Sequence, residues 1–349
     1  MIGFRVDANE EVALGHMMRC ISIAVECQKQ GEECVFFLAE EKETERLQLA
    51  GFKYFILNTD WKKMEEELPF FEKFLKEKKV DYLVVDSYRV TPMYLKKINA
   101  MVKVLYIDDL KKERYDVSAI LHYIDCIPDM FYKEKYKDSQ TVVLDDMKYA
   151  PLREEFQISE KELKREKSIL ITTSGTDTYN VAGRIAELCQ QEAEIKDYKI
   201  DIIVGNMNQH QKQLEWLACR YSNISLHKNI SNISTFMRRS ELAISAGGTT
   251  LLELCVCKIP TICFSFADNQ LEFAQNMGKI GAVIYVGDVR EKEKLEEGII
   301  EQMKFLIQND DIRSRQAKHM ESLVDGKGAS RIAKLLCLKK SERKQEERL

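Results

Sequence analysis

Short apolar runs alternate with longer amphipathic segments along almost the entire chain. In the first half, segments with a helical pattern separate five apolar runs of strand length: IGFRV, CVFFLA, KYFIL, DYLVVD and VKVLYID. In the second half the alternation resumes with SILITT, YKIDIIVG, LAISAGG, PTICFSF and AVIYVG. Apolar strands that alternate with amphipathic helices are typical of parallel sheets covered by helices on both faces. The pattern therefore predicts an α/β protein.

The length of the chain predicts two domains. Its 349 residues, 45% of them apolar, exceed what one α/β core normally holds. A charged run, SEKELKREK, separates the two series of strands. We therefore predict a Rossmann-like domain over residues 1–160, a second one over residues 161–338 and a polar tail over residues 339–349. Ligands bind at the carboxyl ends of the strands in such sheets, so we expect the two domains to face each other across a cleft.

Charge and composition exclude several classes of function. The formal net charge is −4 with both signs mixed along the chain, whereas a nucleic-acid-binding protein normally shows a clustered basic face. No apolar run approaches the roughly 20 residues that span a bilayer. The cysteines are scattered and no secretory signal precedes the first strand, so we expect reduced thiols and a cytoplasmic protein. Walker, G-x-S-x-G and H-E-x-x-H motifs are missing, and we predict no metal and no cofactor.

The segment ALGHMMRC, residues 13–20, places a histidine where the first helix should begin. Gly15 permits the turn after the first strand, and His16 falls near the first helical position. The positive end of a helix disfavours an imidazolium, so we expect His16 to be neutral and able to accept a proton. Arg19, one turn further on, can meet an anion or pair with Asp7. A histidine that only caps its own helix is the alternative interpretation.

Polar side chains follow the ends of several other predicted strands. Asp86 and Tyr88 follow one strand, Asp108 and Asp109 follow the next, and Asn269 follows a strand of the second half. Because the carboxyl ends of neighbouring parallel strands meet at one edge of a sheet, such residues are placed to contact a ligand there. The alternative is ordinary helix capping, which explains at least one of the aspartates and could also explain the segment around Asn269.

The segment SAGGTTLLE, residues 245–253, is the strongest signal of the second half. A buried strand ends, two glycines follow and a helix begins, so the backbone can approach a ligand closely. Amides at a helix start, together with threonine hydroxyls, suit a phosphate or diphosphate. A tight turn with a capping threonine is the alternative. The predicted nucleotide-binding residues are Ser245, Gly247, Gly248, Thr249, Thr250 and Glu253.

The segment SGTD, residues 174–177, forms a second strand–turn–helix junction in the same half. An aspartate cap with a turn glycine is the better interpretation of this segment on its own.

Several of these segments together resemble one family. RVDANEEVALGHMMRC, VVDSY, IDD, APLREEF, SGTD, ISAGGTTLLE and ADNQ, in this order, look like the pseudaminic acid pathway hydrolases, which act on UDP-2,4-diacetamido-2,4,6-trideoxy-β-L-altropyranose. The resemblance runs from residue 4 to about residue 330. It implies a GT-B-like fold, similar to that of the UDP-GlcNAc transferase of peptidoglycan synthesis. It also implies hydrolysis of the sugar–nucleotide bond with inversion and without a metal.

The resemblance implies roles for single residues. His16 matches the catalytic histidine, and Tyr88 and Asn269 match residues that line the reacting sugar. The glycine turn at residues 247–248 matches the UDP-binding element. Ala13 and Ser174 stand where the family usually has glycine, which puts the exact sugar in doubt. The complete predicted substrate-binding set is Asp7, Arg19, Tyr88, Asp108, Asp109 and Asn269.

Two other functions fit the same residues. An inverting glycosyltransferase of the same fold would use His16 to deprotonate an acceptor hydroxyl instead of water. A non-catalytic homologue would bind a nucleotide sugar without turnover. In all three cases the expected partner is a small UDP-sugar, and neither a nucleic acid nor a membrane span is expected.

Overall fold

The computed structural model describes residues 1–7, 9, 15–127, 130–157, 164–230 and 232–346. The chain divides into two compact units. Unit 1 comprises Met1–Glu154 and Gly326–Leu349, and unit 2 comprises Glu155–Asp325. Each unit is built on one parallel sheet, as the alternation of strands and helices predicts.

Within the described residues, the sheet of unit 1 has seven strands in the order β3-β2-β1-β4-β5-β6-β7. Every paired strand is parallel, and the order reverses between β1 and β4, which makes this the switch point of the sheet. The strands are β1 (Ile2–Val6), β2 (Cys34–Leu38), β3 (Lys53–Ile56), β4 (Tyr82–Asp86), β5 (Lys103–Ile107), β6 (Ala119–His122) and β7 (Val142–Asp145).

Helices connect these strands: α1 (Gly15–Lys29), α2 (Glu45–Leu49), α3 (Leu68–Glu77), α4 (Pro92–Asn99) and α5 (Phe131–Lys135). Alternate side chains of β4 point to opposite faces of the sheet, and Leu83 and Val85 join the apolar cluster that also holds Phe71 of α3 and Leu95 of α4. Burying each such side chain contributes about 1.5–3 kcal/mol. This core fixes the strand ends from which the site residues project.

The sheet of unit 2 has six strands within the described residues, in the order β10-β9-β8-β11-β12-β13, again with parallel pairing. Its order reverses between β8 and β11. The strands are β8 (Glu166–Thr172), β9 (Lys199–Val204), β10 (Ile224–Lys228), β11 (Ser240–Ala246), β12 (Thr261–Ser265) and β13 (Ile284–Asp288). The helices are α6 (Glu154–Gln157), α7 (Val181–Cys189), α8 (Gln211–Arg220), α9 (Ile233–Arg239), α10 (Thr250–Val256), α11 (Asp268–Lys279), α12 (Leu295–Gln308) and α13 (Asp310–Leu323). The boundary between the two units falls within α6, after Glu154.

The last helix, α14 (Gly328–Glu346), returns to unit 1 and packs against α1. Arg331 Nη1 donates to the carbonyl of Lys148 at 2.8 Å. A Cβ at Gly328 would clash with the carbonyl of Ala150, so glycine is needed for this close approach. The second domain was predicted to run to residue 338, whereas the structure assigns the chain from Gly326 onward to unit 1. Residues 339–349 were predicted to form a polar tail, whereas helix α14 continues through this segment to Glu346.

No helix in the described part of the chain combines the length and the apolar character that crossing a membrane requires.

Candidate active site

The candidate site of unit 1 lies at the switch point of its sheet, where β1 and β4 end side by side. The strand register pairs Val6 with Asp86, the last residue of β4. The first turn of α1 carries His16, whose Nδ1 lies 2.5 Å from Asp86 Oδ1. The side chains of both residues are buried. The histidine that the sequence places at the helix start therefore contacts the end of the neighbouring strand.

Arg19 links this pair to the end of β5. Its Nε and Nη2 donate to the two oxygens of Asp86, both at 2.6 Å. Its Nη1 and Nη2 donate to the two oxygens of Asp109 at 3.0 and 2.8 Å, and Nη1 also donates to the Tyr123 hydroxyl at 2.8 Å. The guanidinium fork suits carboxylates, and buried charges persist when they are paired in this way. Arg19 thus pairs with Asp86 and Asp109 and not with Asp7, the partner that the sequence suggested.

The charges of this network are fixed by their mutual contacts. Burial raises the pKa of Asp86, but Arg19 and His16 lower it more, and the pKa lies well below its ordinary range. Burial lowers the pKa of Arg19, but Asp109 and Asp86 raise it more, and that pKa lies above its ordinary value. Asp86 is therefore an anion and Arg19 a cation at neutral pH.

The contacts of His16 also fix the position of its ring proton. Its Nδ1 lies 2.5 Å from Asp86 Oδ1 and 3.1 Å from Arg19 Nη2. The carboxylate is nearer and can only accept, so Nδ1 carries a proton and donates it to Asp86. Nε2 is then the ring atom that can take a proton from a reacting group.

Tyr88 packs against the other side of this imidazole. The two ring centroids are 4.6 Å apart and the planes are nearly perpendicular, at 88°. Burial raises the pKa of the Tyr88 hydroxyl to about 12, and the charge of Asp109 acts in the same direction. Tyr88 is 43% exposed, and its protonated hydroxyl is hydrogen bonded to Asp109.

Asp7 follows β1 close to this network but has a different partner. Arg5 Nη1 donates to Asp7 Oδ1 at 2.5 Å, while Arg5 Nε and Nη2 donate to Glu67 at 2.8 Å. No local pattern predicts this group, because an arginine inside an apolar run does not indicate a partner 62 residues away. Asp7 Oδ2 is buried and has no hydrogen-bond partner among the described residues.

The aspartates after β5 have protein partners. Asp108 Oδ1 accepts from the amides of Leu110 and Lys111, both at 3.1 Å, and Oδ2 accepts from the Tyr132 hydroxyl at 2.9 Å. This is the turn-capping arrangement that was the alternative interpretation. Both oxygens of Asp109 accept from Arg19, so neither carboxylate presents an oxygen without a partner to a substrate.

The candidate site of unit 2 is the glycine turn after β11, again at the switch point of its sheet. The Gly247 amide donates to the Phe264 carbonyl at 2.8 Å, and a Cβ on this glycine would lie 2.6 Å from the Cβ of Ala274 in α11. A Cβ on Gly248 would meet no atom of the described chain within 4 Å. The amides of Gly248 and Thr249 have no hydrogen-bond partner among the described residues. They can therefore donate to an anion, as the sequence pattern suggests.

The other predicted nucleotide-binding residues are placed differently. The Ser245 hydroxyl is buried and donates to the carbonyl of Ala246 at 2.9 Å, so it is used within the strand. Thr250 begins α10, and Glu253 lies on the same helix. Asn269, which was predicted to contact the sugar and not the nucleotide, is exposed in the first turn of α11. The Thr249 side chain makes no capping hydrogen bond, unlike in the alternative interpretation of this turn.

The loop after β8 confirms the capping interpretation of SGTD. Asp177 accepts from the amides of Val181 and Ala182 at 2.9 and 3.2 Å at the start of α7. Ser174 has a left-handed backbone with φ +73°, a conformation that glycine adopts without strain. Ala13 is the other position at which the sequence analysis noted a residue in place of glycine, and it lies outside the described residues.

Comparisons with known proteins found one domain match and two curated relatives of low identity. Residues 169–336 match the glycosyltransferase family 28 C-terminal domain. The chain is 23% identical over 346 residues to the spore coat polysaccharide biosynthesis protein SpsG of Bacillus subtilis, covering 96% of this chain and 97% of that protein. It is 26% identical over 274 residues to the uncharacterized protein MJ1062 of Methanocaldococcus jannaschii, covering 75% of this chain. That match spans only 54% of the Methanocaldococcus relative.

Solved structures share the fold over almost the whole chain. MurG of Acinetobacter baumannii has a TM-score of 0.66 at 14% identity, covering 96% of this chain and 98% of that one. The spinosyn rhamnosyltransferase SpnG with spinosyn aglycone has a TM-score of 0.63 at 14% identity, and its complex with thymidine diphosphate one of 0.61 at 15%. Both matches cover 96% of this chain and 100% of SpnG. The fold is therefore that of the GT-B glycosyltransferases, with two parallel-sheet α/β domains.

These findings correct the predicted reaction class. The chain was predicted to be a nucleotide-sugar hydrolase, but the domain match and the solved structures belong to glycosyltransferases, so that prediction is wrong. The physical reason is that His16 and the glycine turn would serve equally well whether the nucleophile is water or an acceptor hydroxyl. The name of the Bacillus subtilis relative refers to polysaccharide biosynthesis, and the matches do not support the pseudaminic acid specificity.

Proposed function

We propose that the protein is an inverting glycosyltransferase that moves a sugar from a UDP-sugar donor to a hydroxyl of a glycan acceptor. The observation that carries the proposal is the contact of 2.5 Å between His16 Nδ1 and Asp86 Oδ1 at the switch point of unit 1. The match of unit 2 to a glycosyltransferase domain supports the reaction class. The name of the Bacillus subtilis relative, a spore coat polysaccharide protein, supports a glycan as the acceptor.

In this proposal, unit 1 supplies the general base. Asp86 holds the Nδ1 proton of His16, so Nε2 is ready to accept the proton of the acceptor hydroxyl. As that proton leaves, the acceptor oxygen attacks the anomeric carbon from the face opposite the nucleotide. The negative charge of Asp86 stabilises the imidazolium that forms. Arg19 keeps Asp86 ionised and in place by two hydrogen bonds of 2.6 Å.

Unit 2 binds the leaving group. When the bond between the anomeric carbon and the phosphate oxygen breaks, its electron pair moves onto the diphosphate. The amides of Gly248 and Thr249 are fixed dipoles that can stabilise this charge without reorganising. The hydroxyls of Thr249 and Thr250 add donors at the same turn. No metal is needed for this step.

Asp7, Tyr88 and Asn269 are proposed to contact the sugars. Asp7 Oδ2 has no hydrogen-bond partner among the described residues and can accept a hydrogen bond from a sugar hydroxyl. The partly exposed ring of Tyr88 lies beside His16 and can pack against a sugar. Asn269 is exposed and presents an amide from α11. We do not include Asp108 and Asp109 in this set, because their oxygens already accept hydrogen bonds from the protein.

The test is a product assay with a panel of UDP-sugars, each incubated with and without sugar acceptors. We expect UDP release that depends on the acceptor, and a new inverted glycosidic linkage in the product by mass spectrometry and NMR. UDP release at the same rate without any acceptor, or UDP binding without turnover on the whole panel, would contradict the proposal.

A further inference from the structure

The buried network around His16 holds more negative than positive charge. Arg19 lies between Asp86 and Asp109 and donates to all four oxygens of these two carboxylates. The side chains of Asp86, Arg19 and Asp109 are only 0%, 9% and 14% exposed, so water screens their charges weakly. One guanidinium balances one of the two carboxylates. With a neutral imidazole at His16, these four residues therefore carry a net charge of −1.

Three further titratable groups of this network are uncharged. The Tyr88 hydroxyl, with a pKa that burial raises to about 12, donates to Asp109. Burial also raises the pKa of the Tyr123 hydroxyl, which accepts from Arg19 at 2.8 Å. Burial and the charge of Asp86 raise the pKa of the Cys20 thiol, whose Sγ lies 3.6 Å from Asp86 Oδ2. At neutral pH none of the three groups alters the charge of the network.

The charged residues of β1 and of the position after it form a separate set. Arg5 donates to Asp7 through Nη1 and to Glu67 through Nε and Nη2. This guanidinium already has two carboxylates of its own. Within the described residues, Arg19 is thus the one arginine or lysine that forms ion pairs with Asp86 and Asp109.

Asp109 is close enough to His16 to affect its protonation. Arg19 Nη2 lies 3.1 Å from His16 Nδ1 and 2.8 Å from Asp109 Oδ2, so a single guanidinium nitrogen separates the imidazole from this carboxylate. An opposite charge within about 4–6 Å favours the charged form of a titratable group. The carboxylate of Asp109 therefore stabilises a proton on His16, in addition to the direct effect of Asp86.

We propose that Asp109 is a positioning residue whose charge makes His16 a stronger base. When Nε2 takes the proton of the acceptor hydroxyl, the charge of the network changes from −1 to zero, and the second carboxylate becomes balanced. Asp109 exerts this effect across Arg19 and has no assigned contact with the substrate. The inference rests on the proposed function, because the basicity of His16 matters to the reaction only if it accepts a proton during transfer.

Histidine NMR of the full chain tests the proposal. Protein labelled with nitrogen-15 in its histidines is titrated from about pH 5 to about pH 9, and the signal of His16 is identified by its absence from His16→Gln. Removal of a nearby negative charge disfavours the imidazolium. Asp109→Asn should therefore move the titration midpoint of His16 to lower pH by about one unit, a tenfold weaker affinity for the proton. The acid limb of the pH dependence of turnover should move in the same direction.

Tyr123→Phe is the matched control for this variant. Tyr123 and Asp109 both contact Arg19 Nη1, at 2.8 and 3.0 Å, but the tyrosine is neutral. Its hydroxyl can be removed without changing the charge of the network, so the midpoint of His16 should stay close to that of the wild type. If Asp109→Asn does not fold, Asp109→Ser removes the same charge and takes its place.

An unchanged or higher midpoint in Asp109→Asn would overturn the proposal. An equal fall of the midpoint in Tyr123→Phe would also overturn it, because displacement of Arg19 and not charge would then be the cause. The titration requires neither donor nor acceptor. Its failure is therefore distinct from failure of the glycosyltransferase proposal, which the product assay with and without acceptors decides.

Discussion

The two units have the same kind of parallel sheet, yet they place different chemistry at the switch point. In unit 1 the strand ends carry buried charged side chains, with Asp86 bonded to both His16 and Arg19. In unit 2 the equivalent position is a glycine turn whose amides at Gly248 and Thr249 have no partner among the described residues. Under the proposed function, the side chains of unit 1 exchange protons and the backbone dipoles of unit 2 hold an anion. The same kind of sheet thus presents side-chain chemistry in one unit and backbone amides in the other.

The two sites are also stabilised by different kinds of interaction. Buried charges are costly unless every partner is in place, so the contacts of Asp86 and Arg19 with each other hold the site of unit 1 rigid. The turn of unit 2 depends instead on close packing, since Gly247 touches α11 and could not carry a side chain without displacing Ala274. The following variants are designed to separate these two kinds of site.

The largest effect is expected for His16→Gln. The variant keeps a polar side chain but removes the atom that accepts the acceptor proton, so turnover should fall by about 10²–10⁴-fold. Steady-state assays with donor and acceptor measure this loss. The control is His319→Gln in α13 of unit 2, which should leave turnover unchanged. Comparable turnover by His16→Gln and the wild type would remove the general base from the account.

Asp86→Asn is expected to destabilise unit 1 strongly. It leaves the buried guanidinium of Arg19 with Asp109 as its remaining carboxylate, and breaking a buried pair costs about 3–5 kcal/mol. The pKa of Asp86 is lowered by folding, so its contribution is present above the unfolded pKa of about 3.9 and is lost as the pH falls through the folded value. Urea unfolding of both proteins should therefore differ most at neutral pH and converge in acid. A difference independent of pH would contradict this interpretation.

A matched pair of glycine variants tests the turn of unit 2. Gly247→Ala places a methyl group 2.6 Å from the Cβ of Ala274, and such overpacking typically costs about 1–3 kcal/mol. Gly248→Ala meets no described atom within 4 Å and should unfold close to the wild type. Thermal melting measures both. Equal melting temperatures for the two variants would show that the packing of α11 does not require glycine at residue 247.

The smallest effect is expected at Tyr88. An edge contact between aromatic rings is worth about 0.5–1.5 kcal/mol, so Tyr88→Ala should reduce turnover by up to roughly tenfold as His16 loses its support. Tyr88→Phe keeps the ring and should retain more activity than the alanine variant. Turnover of the phenylalanine variant as low as that of the alanine variant would show that the hydroxyl, and not the ring contact, matters.

Much of the fold follows from the sequence, because continuous apolar runs separated by helical segments have few alternatives to parallel sheets. The glycine turn and the Asp177 cap could be predicted too, since their signals are local in the chain. The partners of Arg19 could not, because Asp86 and Asp109 lie 67 and 90 residues away and their choice depends on strand order. The return of α14 to unit 1 was missed for the same reason, as no local pattern indicates which sheet a final helix covers.

The central claim is that the glycine turn of unit 2 binds the nucleotide and His16 of unit 1 does not. Calorimetric titration of UDP into wild type, His16→Gln and Gly248→Val tests it directly. Valine keeps the backbone amide of residue 248 but fills the open space beside it with a branched side chain, which blocks the approach of a diphosphate. Gly248→Val should therefore bind UDP at least about tenfold more weakly, a loss of about 1.4 kcal/mol, with His16→Gln close to wild type. Full UDP affinity in Gly248→Val together with lost affinity in His16→Gln would contradict the assignment of the two roles.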